Sequence, residues 1–366
     1  MYNIKFKAYK NRKLKKLNNM VDASAHIWNH CVLLQKRYYI LYGGYIHVNK
    51  LQKHIAKLRK KNKKWSELNS QSVQELCQRL DMSYQRFFKK ISKRPPKFKN
   101  RKHFTSFVLK QSGWKLEDDV LIINKTKYKF IKTRGVEKIK RITIKRDNFS
   151  DFYFVFCCDM VIEKFKRVGD TTIGIDFGLK NFLNLSDGTI VDSPEFYKES
   201  LDKLKKANKS FSKKKRGSKN RKKSLKNLQR VHRKIFNKRE DFEWKLAHYL
   251  CKNNSFIAIE DLDIESMKKR WGRKVSDLSY SSFVLKLEQV ANKYNTIIQK
   301  IDRWYPSSKK CGCGVINEDL KLADRVWTCK SCNAVNDRDL LAGNNILSEG
   351  IRLYRTKYKT EIISAI

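Results

Sequence analysis

The chain has 366 residues, room for two or three domains, and its 40% hydrophobic and 12% aromatic content is that of a folded protein rather than a basic disordered tail. Its 83 Lys and Arg outnumber 36 Asp and Glu, for a formal charge of +47, well above the magnitude of about 2 to 8 that keeps a small domain in solution. That excess calls for a polyanion. Nucleic acid is the natural one, because each neutralised phosphate releases counterions. A membrane partner is not expected, since there is no apolar run of about 18 residues and no signal-peptide core.

In chain order, MYNIKFKAYK alternates apolar and basic residues and predicts a strand. A helical stretch is expected from about Asn18 to Ile91. Its clearest segment spaces Val73, Leu76, Cys77, Leu80, Tyr84, Phe87, Phe88 and Ile91 by threes and fours, with a capping box at Ser72-x-x-Glu75. RPPKFKNRK, residues 94–102, ends the helix, because the residue before each proline is pushed out of the helical region. Short strands follow in DVLIINK, RITIKR and DFYFVFCCDM. Residues 1–165 thus read as a β module with a helical insertion. Trp65, Tyr84 and Trp114 are aromatic candidates for base stacking, with core packing as the alternative role.

The second half, residues 166–366, begins with TTIGIDFGLKNFLNLSDGTIVDS, in which Asp176 sits inside an apolar, glycine-flanked strand. The Asp-Gly step after NFLNLS is a hairpin signal. Residues 201–239 are crowded with Lys and Arg against a single acid, Asp202, and predict a basic helical hairpin within about 198–250. Glu260 ends the apolar run SFIAIE, and Asp339 heads the apparent helix in NDRDLLAGNNIL. Taken singly, such acids are usually caps or salt-bridge partners. Together they fit a three-stranded meander followed by parallel α/β units, the RNase H-like arrangement, in which three carboxylates converge on divalent cations. Hard oxygen ligands suit Mg²⁺, and two-metal phosphodiester hydrolysis needs such a cluster.

Of the nine cysteines, Cys31, Cys77, Cys157, Cys158 and Cys251 are scattered, which argues against a secreted disulfide framework and for a reduced, intracellular chain. The other four form Cys311-x-Cys313 and Cys329-x-x-Cys332, the pattern of a structural Zn²⁺ ribbon at about 305–335, with unligated loop thiols as the alternative.

GIDFGLKN, FIAIEDL and WYPSSKKCGCG…WTCKSCNAVNDRDLLAGNNIL resemble the three RuvC motifs and interrupted zinc ribbon of the TnpB family, the RNA-guided nucleases of insertion sequences related to type V CRISPR effectors. The resemblance is strongest over residues 170–350 and continues more loosely through QSVQELCQRLDMSYQRFFKK and RPPKFKNR. It implies an α+β multidomain chain. A wedge-like β module with a helical recognition insert would come first, followed by a RuvC-like nuclease domain carrying a zinc ribbon. The implied catalytic and Mg²⁺-binding residues are Asp176, Glu260 and Asp339, with the neighbouring acids Asp261 and Asp337 ranked below them. Cys311, Cys313, Cys329 and Cys332 are the implied Zn²⁺ ligands.

The implied partners are a guide RNA from the transposon end and a double-stranded DNA target beside a short motif, bound by a monomer in a prokaryotic cytoplasm in association with the nucleoid. Base pairing would supply specificity while the protein reads shape. The alternatives are a miniature type V effector, a nuclease-inactive RNA-guided repressor, and a structure-specific nuclease that uses no RNA. Two departures from the family pattern stand out. Leu341-Ala342-Gly343 replaces the usual Asn-Ala-Ala after the third acid, and the first cysteine knuckle is one residue short.

Overall fold

The computed structural model describes residues 2–101, 103–159, 164–178, 180–263, 266, 269, 272, 278–321 and 324–358. The chain divides into two compact units, Met1–Val161 and Ile162–Ile366, each mixing helices and strands.

In the first unit the opening alternation becomes β1 (Tyr2–Lys7), which buries Ile4 and Phe6. It pairs antiparallel with β7 (Phe152–Cys158). The sheet continues through β6 (Ile139–Arg146) to β2 (Ser106–Leu109), in the order β1-β7-β6-β2. Phe6, Phe130, Phe154 and Phe156 meet ring to ring on its buried face. Each such fully buried ring is worth about 1.5–3 kcal/mol of transfer free energy. A separate meander joins β3 (Trp114–Glu117), β4 (Val120–Ile123) and β5 (Thr126–Lys129).

Four helices stand between β1 and β2: α1 (Leu14–Tyr42), α2 (Val48–Lys61), α3 (Lys63–Ser66) and α4 (Ser70–Phe88). Helix begins at Leu14, ahead of the expected Asn18, because Leu14 and Leu17 both reach the core. The buried face of α4 ends at Tyr84; Phe88 and Ile91, expected on that face, are 50% and 63% exposed. The expected capping box is replaced. Asn69 caps α4 by accepting from the Gln71 amide, and the Ser72 hydroxyl is buried, donating to the Val108 carbonyl. The proline-bearing segment is strapped onto α1. The Trp28 indole donates to the Lys97 carbonyl, Asn29 bonds both backbone groups of Lys99, and Lys99 lies 4.2 Å over the Trp28 ring. Tyr84 is buried, and Trp65 and Trp114 pack against the same core, so all three take the packing role.

The second unit is built on β8 (Thr171–Asp176), β9 (Asn181–Leu185), β10 (Ile190–Asp192), β11 (Asn254–Glu260) and β12 (Ile297–Ile301). Their sheet order is β10-β9-β8-β11-β12. The first three form an antiparallel meander, and β11 runs parallel to both β8 and β12. After the short α5 (Phe196–Glu199), helices α6 (Leu201–Ser212) and α7 (Lys219–Asn253) form the basic hairpin. Leu204, Ala207, Leu228 and Ile235 close its seam. Helix α8 (Tyr280–Tyr294) packs on α7, where Lys286 is buried between Glu240 and Glu243 at 2.6 Å from each.

The last helix, α9 (Arg338–Tyr358), lies against β8, β11 and β12. Its seat requires two glycines. A Cβ on Gly174 of β8 would sit 2.1 Å from the Gly343 carbonyl, and one on Gly343 would sit 2.9 Å from the Ser186 amide. The departure at Leu341-Ala342-Gly343 therefore has a packing reason, since the helix meets the sheet backbone to backbone at this point.

Candidate active site and cysteine cluster

Asp176 is the last residue of β8 and Glu260 the last of β11. Parallel pairing sets Ile175 opposite Ile259, so the two carboxylates stand abreast at the same sheet edge. Asp339 comes from the first turn of α9. All three line one cleft of about 510 Å³, together with Lys180, Asn184, Lys309, Arg325 and Arg338.

The electrostatics are those of an undercompensated acid cluster. Burial, reinforced by Asp339, pushes the Asp176 carboxyl up to about 6 despite opposing help from Asn184 and Arg338. Burial, then the charges of Asp176 and Asp261, push Glu260 up to about 7. Asp339 has a partner: Arg325 donates to both of its oxygens, at 3.0 and 3.3 Å. The α9 N-terminus adds its partial positive charge beside the acids.

The two lower-ranked acids have other work. Asp337 caps α9 by accepting from the amides of Asp339 and Leu340 at 3.0 and 2.9 Å. Asp261 pairs with Arg303. Several cleft residues carry little or no distinguishing signal in the sequence. Asn184, 4% exposed, turns its amide toward Asp176 at 3.5 Å while accepting from Asn181. The one signal for it was a polar residue inside the apolar strand FLNL. Arg325, Arg338, Lys180 and Lys309 could not be picked out among so many cations.

The four C-terminal cysteines converge. Their sulfurs all lie within 4.8 Å of one another, with Cys311–Cys332 at 3.6 Å and Cys313–Cys329 at 3.7 Å. Those spacings are far beyond a disulfide's roughly 2.05 Å. They match the edge of about 3.8 Å expected for a tetrahedron of thiolates at about 2.3 Å from a central ion. Backbone amides of Cys332 and Ser331 pull the Cys329 thiol down to about 6, whereas, against the Ala334 amide, the neighbouring sulfurs push Cys332 up to about 12, so the quartet favours one thiolate at the expense of another. The shortened first knuckle still closes, by a turn in which the Gly314 amide donates to the Cys311 carbonyl at 2.9 Å with Gly314 at φ 93°. The hairpin of β13 (Val326–Thr328) and β14 (Val335–Asp337) carries this cluster directly into Asp337 and Asp339.

Comparison with known proteins places these features in context. A family model described as a probable transposase, OrfB_IS605, matches residues 155–270, and one described as the Cas12f1-like TNB domain matches residues 280–346. A Streptomyces pristinaespiralis protein named "Putative RNA-guided DNA endonuclease" is 32% identical, over 78% of this chain and 73% of its own length. TnpB-like protein L79 of Acanthamoeba polyphaga mimivirus is 26% identical over 58% of this chain and 44% of its own. In fold, the chain resembles the protein of a Cas12f1–sgRNA–target DNA complex, with a TM-score of 0.59 at 17% identity, covering 92% of this chain and 83% of that one.

Proposed function

Since the chain belongs to the TnpB family, we propose that it is an RNA-guided DNA endonuclease whose RuvC-like second unit cuts double-stranded DNA at the Asp176–Glu260–Asp339 cleft. One observation carries this reading: two acids whose carboxyls are pushed up to about 6 and 7 share a single cleft with a third. An acid cluster raised by burial and mutual repulsion is a costly arrangement that bound cations would relieve. The donors fit Mg²⁺, being hard carboxylate oxygens at one open sheet edge. The 3-2-1-4-5 strand order of the second unit, with acids closing the first and fourth strands, supports the RNase H-like assignment.

Asp176, Glu260 and Asp339 would hold the ions. Bound there, divalent cations supply an activated water and charge stabilisation for the leaving oxygen. Asn184 orients the Asp176 carboxylate. Lys180, Lys309, Arg325 and Arg338 line the same cleft and would attract the scissile strand's phosphates, with Arg325 also paired to Asp339. The cysteine quartet would hold a structural Zn²⁺, which would fix the hairpin that leads into Asp339.

The first unit is the wedge-like β module with its helical recognition insert. It reads the target-adjacent motif and grips the guide–target heteroduplex, with the basic α6–α7 hairpin following nucleic-acid backbone. The guide RNA derives from the transposon end. Among the described residues no helix is long and apolar enough to cross a membrane.

The test expresses the chain with its native flanking DNA, sequences the copurifying RNA and assays Mg²⁺-dependent cleavage of a matching target. A discrete RNA with cleavage that Asp176→Ala lowers by more than about 100-fold is the expected result, since loss of even an outer-shell partner of a metal site costs about 10–100-fold. RNA binding should persist in that variant. A discrete RNA without cleavage by the wild-type chain would point to a guided repressor. Cleavage without RNA would point to a structure-specific nuclease.

A further inference from the structure

The turn behind Asp176 is gripped from outside the sheet. The β8–β9 register ends at the Asp176–Asn184 pair, so beyond it the ladder no longer fixes the chain. Side chains of α8 take over. The buried Phe177 ring meets Tyr280 at 5.1 Å and Phe283 at 6.3 Å. Tyr280, the first residue of α8, also stacks on Phe182 of β9 at 5.6 Å. Its hydroxyl then donates to the Gly178 carbonyl at 2.5 Å, across 102 residues of chain. Gly178 is hemmed in on its other side as well. A Cβ there would lie 3.1 Å from the Asn181 carbonyl and 3.2 Å from the Asn184 amide nitrogen, the same nitrogen that faces Asp176. Tyr280 is 1% exposed, yet its polar tip ends on a peptide that lines the acid cleft.

We propose that Tyr280 is a positioning residue for the acid cleft, holding the Gly178 peptide so that the Asp176 carboxylate keeps the orientation a divalent cation requires. Ring packing alone does not call for the hydroxyl. Phenylalanine would fill the same aromatic cluster, and a buried O–H is costly unless it is bonded. The bond it makes is to a peptide two residues beyond Asp176. Burial, then the Asp176 charge, raise the Tyr280 phenol above its usual range, which keeps it protonated and a donor. Without that donor the Gly178 carbonyl turns to find another, and the turn packed on Asn184 moves with it. Mg²⁺ is sensitive to such a change because it demands near-ideal octahedral geometry. Loss of an outer-shell partner costs a metal site about 10–100-fold in affinity or activity. This role rests on the metal-dependent nuclease reading proposed above.

Tyr280→Phe in the full chain with its copurified RNA removes the hydroxyl and keeps the ring. The expected result is a Mg²⁺ concentration for half-maximal cleavage raised about tenfold, with most of the rate recovered at saturating Mg²⁺. Mn²⁺ titration followed by electron paramagnetic resonance reads the same shift without cleavage, counting as cleft-bound only the Mn²⁺ that Asp176→Ala loses. Phe283→Leu is the packing control. It thins the same aromatic cluster and leaves the Tyr280 hydroxyl in place, so it should melt lower with an unchanged Mg²⁺ midpoint. Equal Mg²⁺ and Mn²⁺ midpoints in Tyr280→Phe and wild type would overturn the positioning role and leave the nuclease reading standing. A midpoint shift shared by Phe283→Leu would also overturn it, since packing would then explain the effect. A wild-type chain that neither cuts nor binds Mn²⁺ at the acids would overturn the nuclease reading and this role with it.

Discussion

Asp337 and Asp339 are separated by one residue and face different tasks. Asp337 satisfies two amides at the start of α9, whereas Asp339 turns into the cleft and meets Arg325. Removing the cap costs about 1 kcal/mol, equivalent to about 2–4 °C in a domain of this size. Asp337→Ala should therefore melt a few degrees lower and still cut, within about tenfold of wild type. Asp339→Ala should melt close to wild type, because its exposed pair with Arg325 is worth only about 0–1 kcal/mol, and it should not cut detectably. Thermal melts beside a cleavage assay separate the two. If Asp337→Ala abolished cleavage at an unchanged melting point, the roles assigned here would be reversed. At this scale sequence order is a poor guide, because a cap and a cleft acid two residues apart look alike until the hydrogen bonds are seen.

At the scale of elements, the sheet and α9 together hold the acids in place. The backbone contact between Gly174 and Gly343 has no room for a methyl group. Gly174→Ala must push α9 away from β8, at an overpacking cost of about 1–3 kcal/mol. It should lose stability and cleavage together although the residue touches no substrate. A variant that melts and cuts like wild type would show that the helix seat has slack. The cysteine hairpin is a second such element, with a core of little more than Trp327, Cys311 and Cys329. Elemental analysis should find about one Zn per chain. Cys329→Ser should lose that zinc and weaken cleavage, since the hairpin leads directly into Asp339. Less than half a zinc after metal-replete expression would leave the quartet a thiol cluster only. The spacing of these cysteines was fully legible in the sequence, whereas closure of the short first knuckle depended on the turn at Gly314.

For the molecule as a whole, charge governs the partner. A chain of +47 that neutralises 6–10 phosphates should lose about 10³–10⁵ in RNA affinity between 50 and 200 mM salt. A filter-binding titration across that range measures the slope, and a flat response would mean that the charge is not what holds the RNA.

The charge that selects a polyanion, the hydrophobic periods that become strands and helices, the order and types of the three acids, and the cysteine pattern are all legible along the chain. All of these are local or compositional. That Asp176 and Glu260 stand abreast follows from parallel pairing between strands far apart in the chain, which no local pattern encodes. The tertiary structure also brings Asn184 and Arg325 to the acids and seats α9 on two glycines. Each of these depends on which surfaces meet across the fold, and local spacing does not encode that.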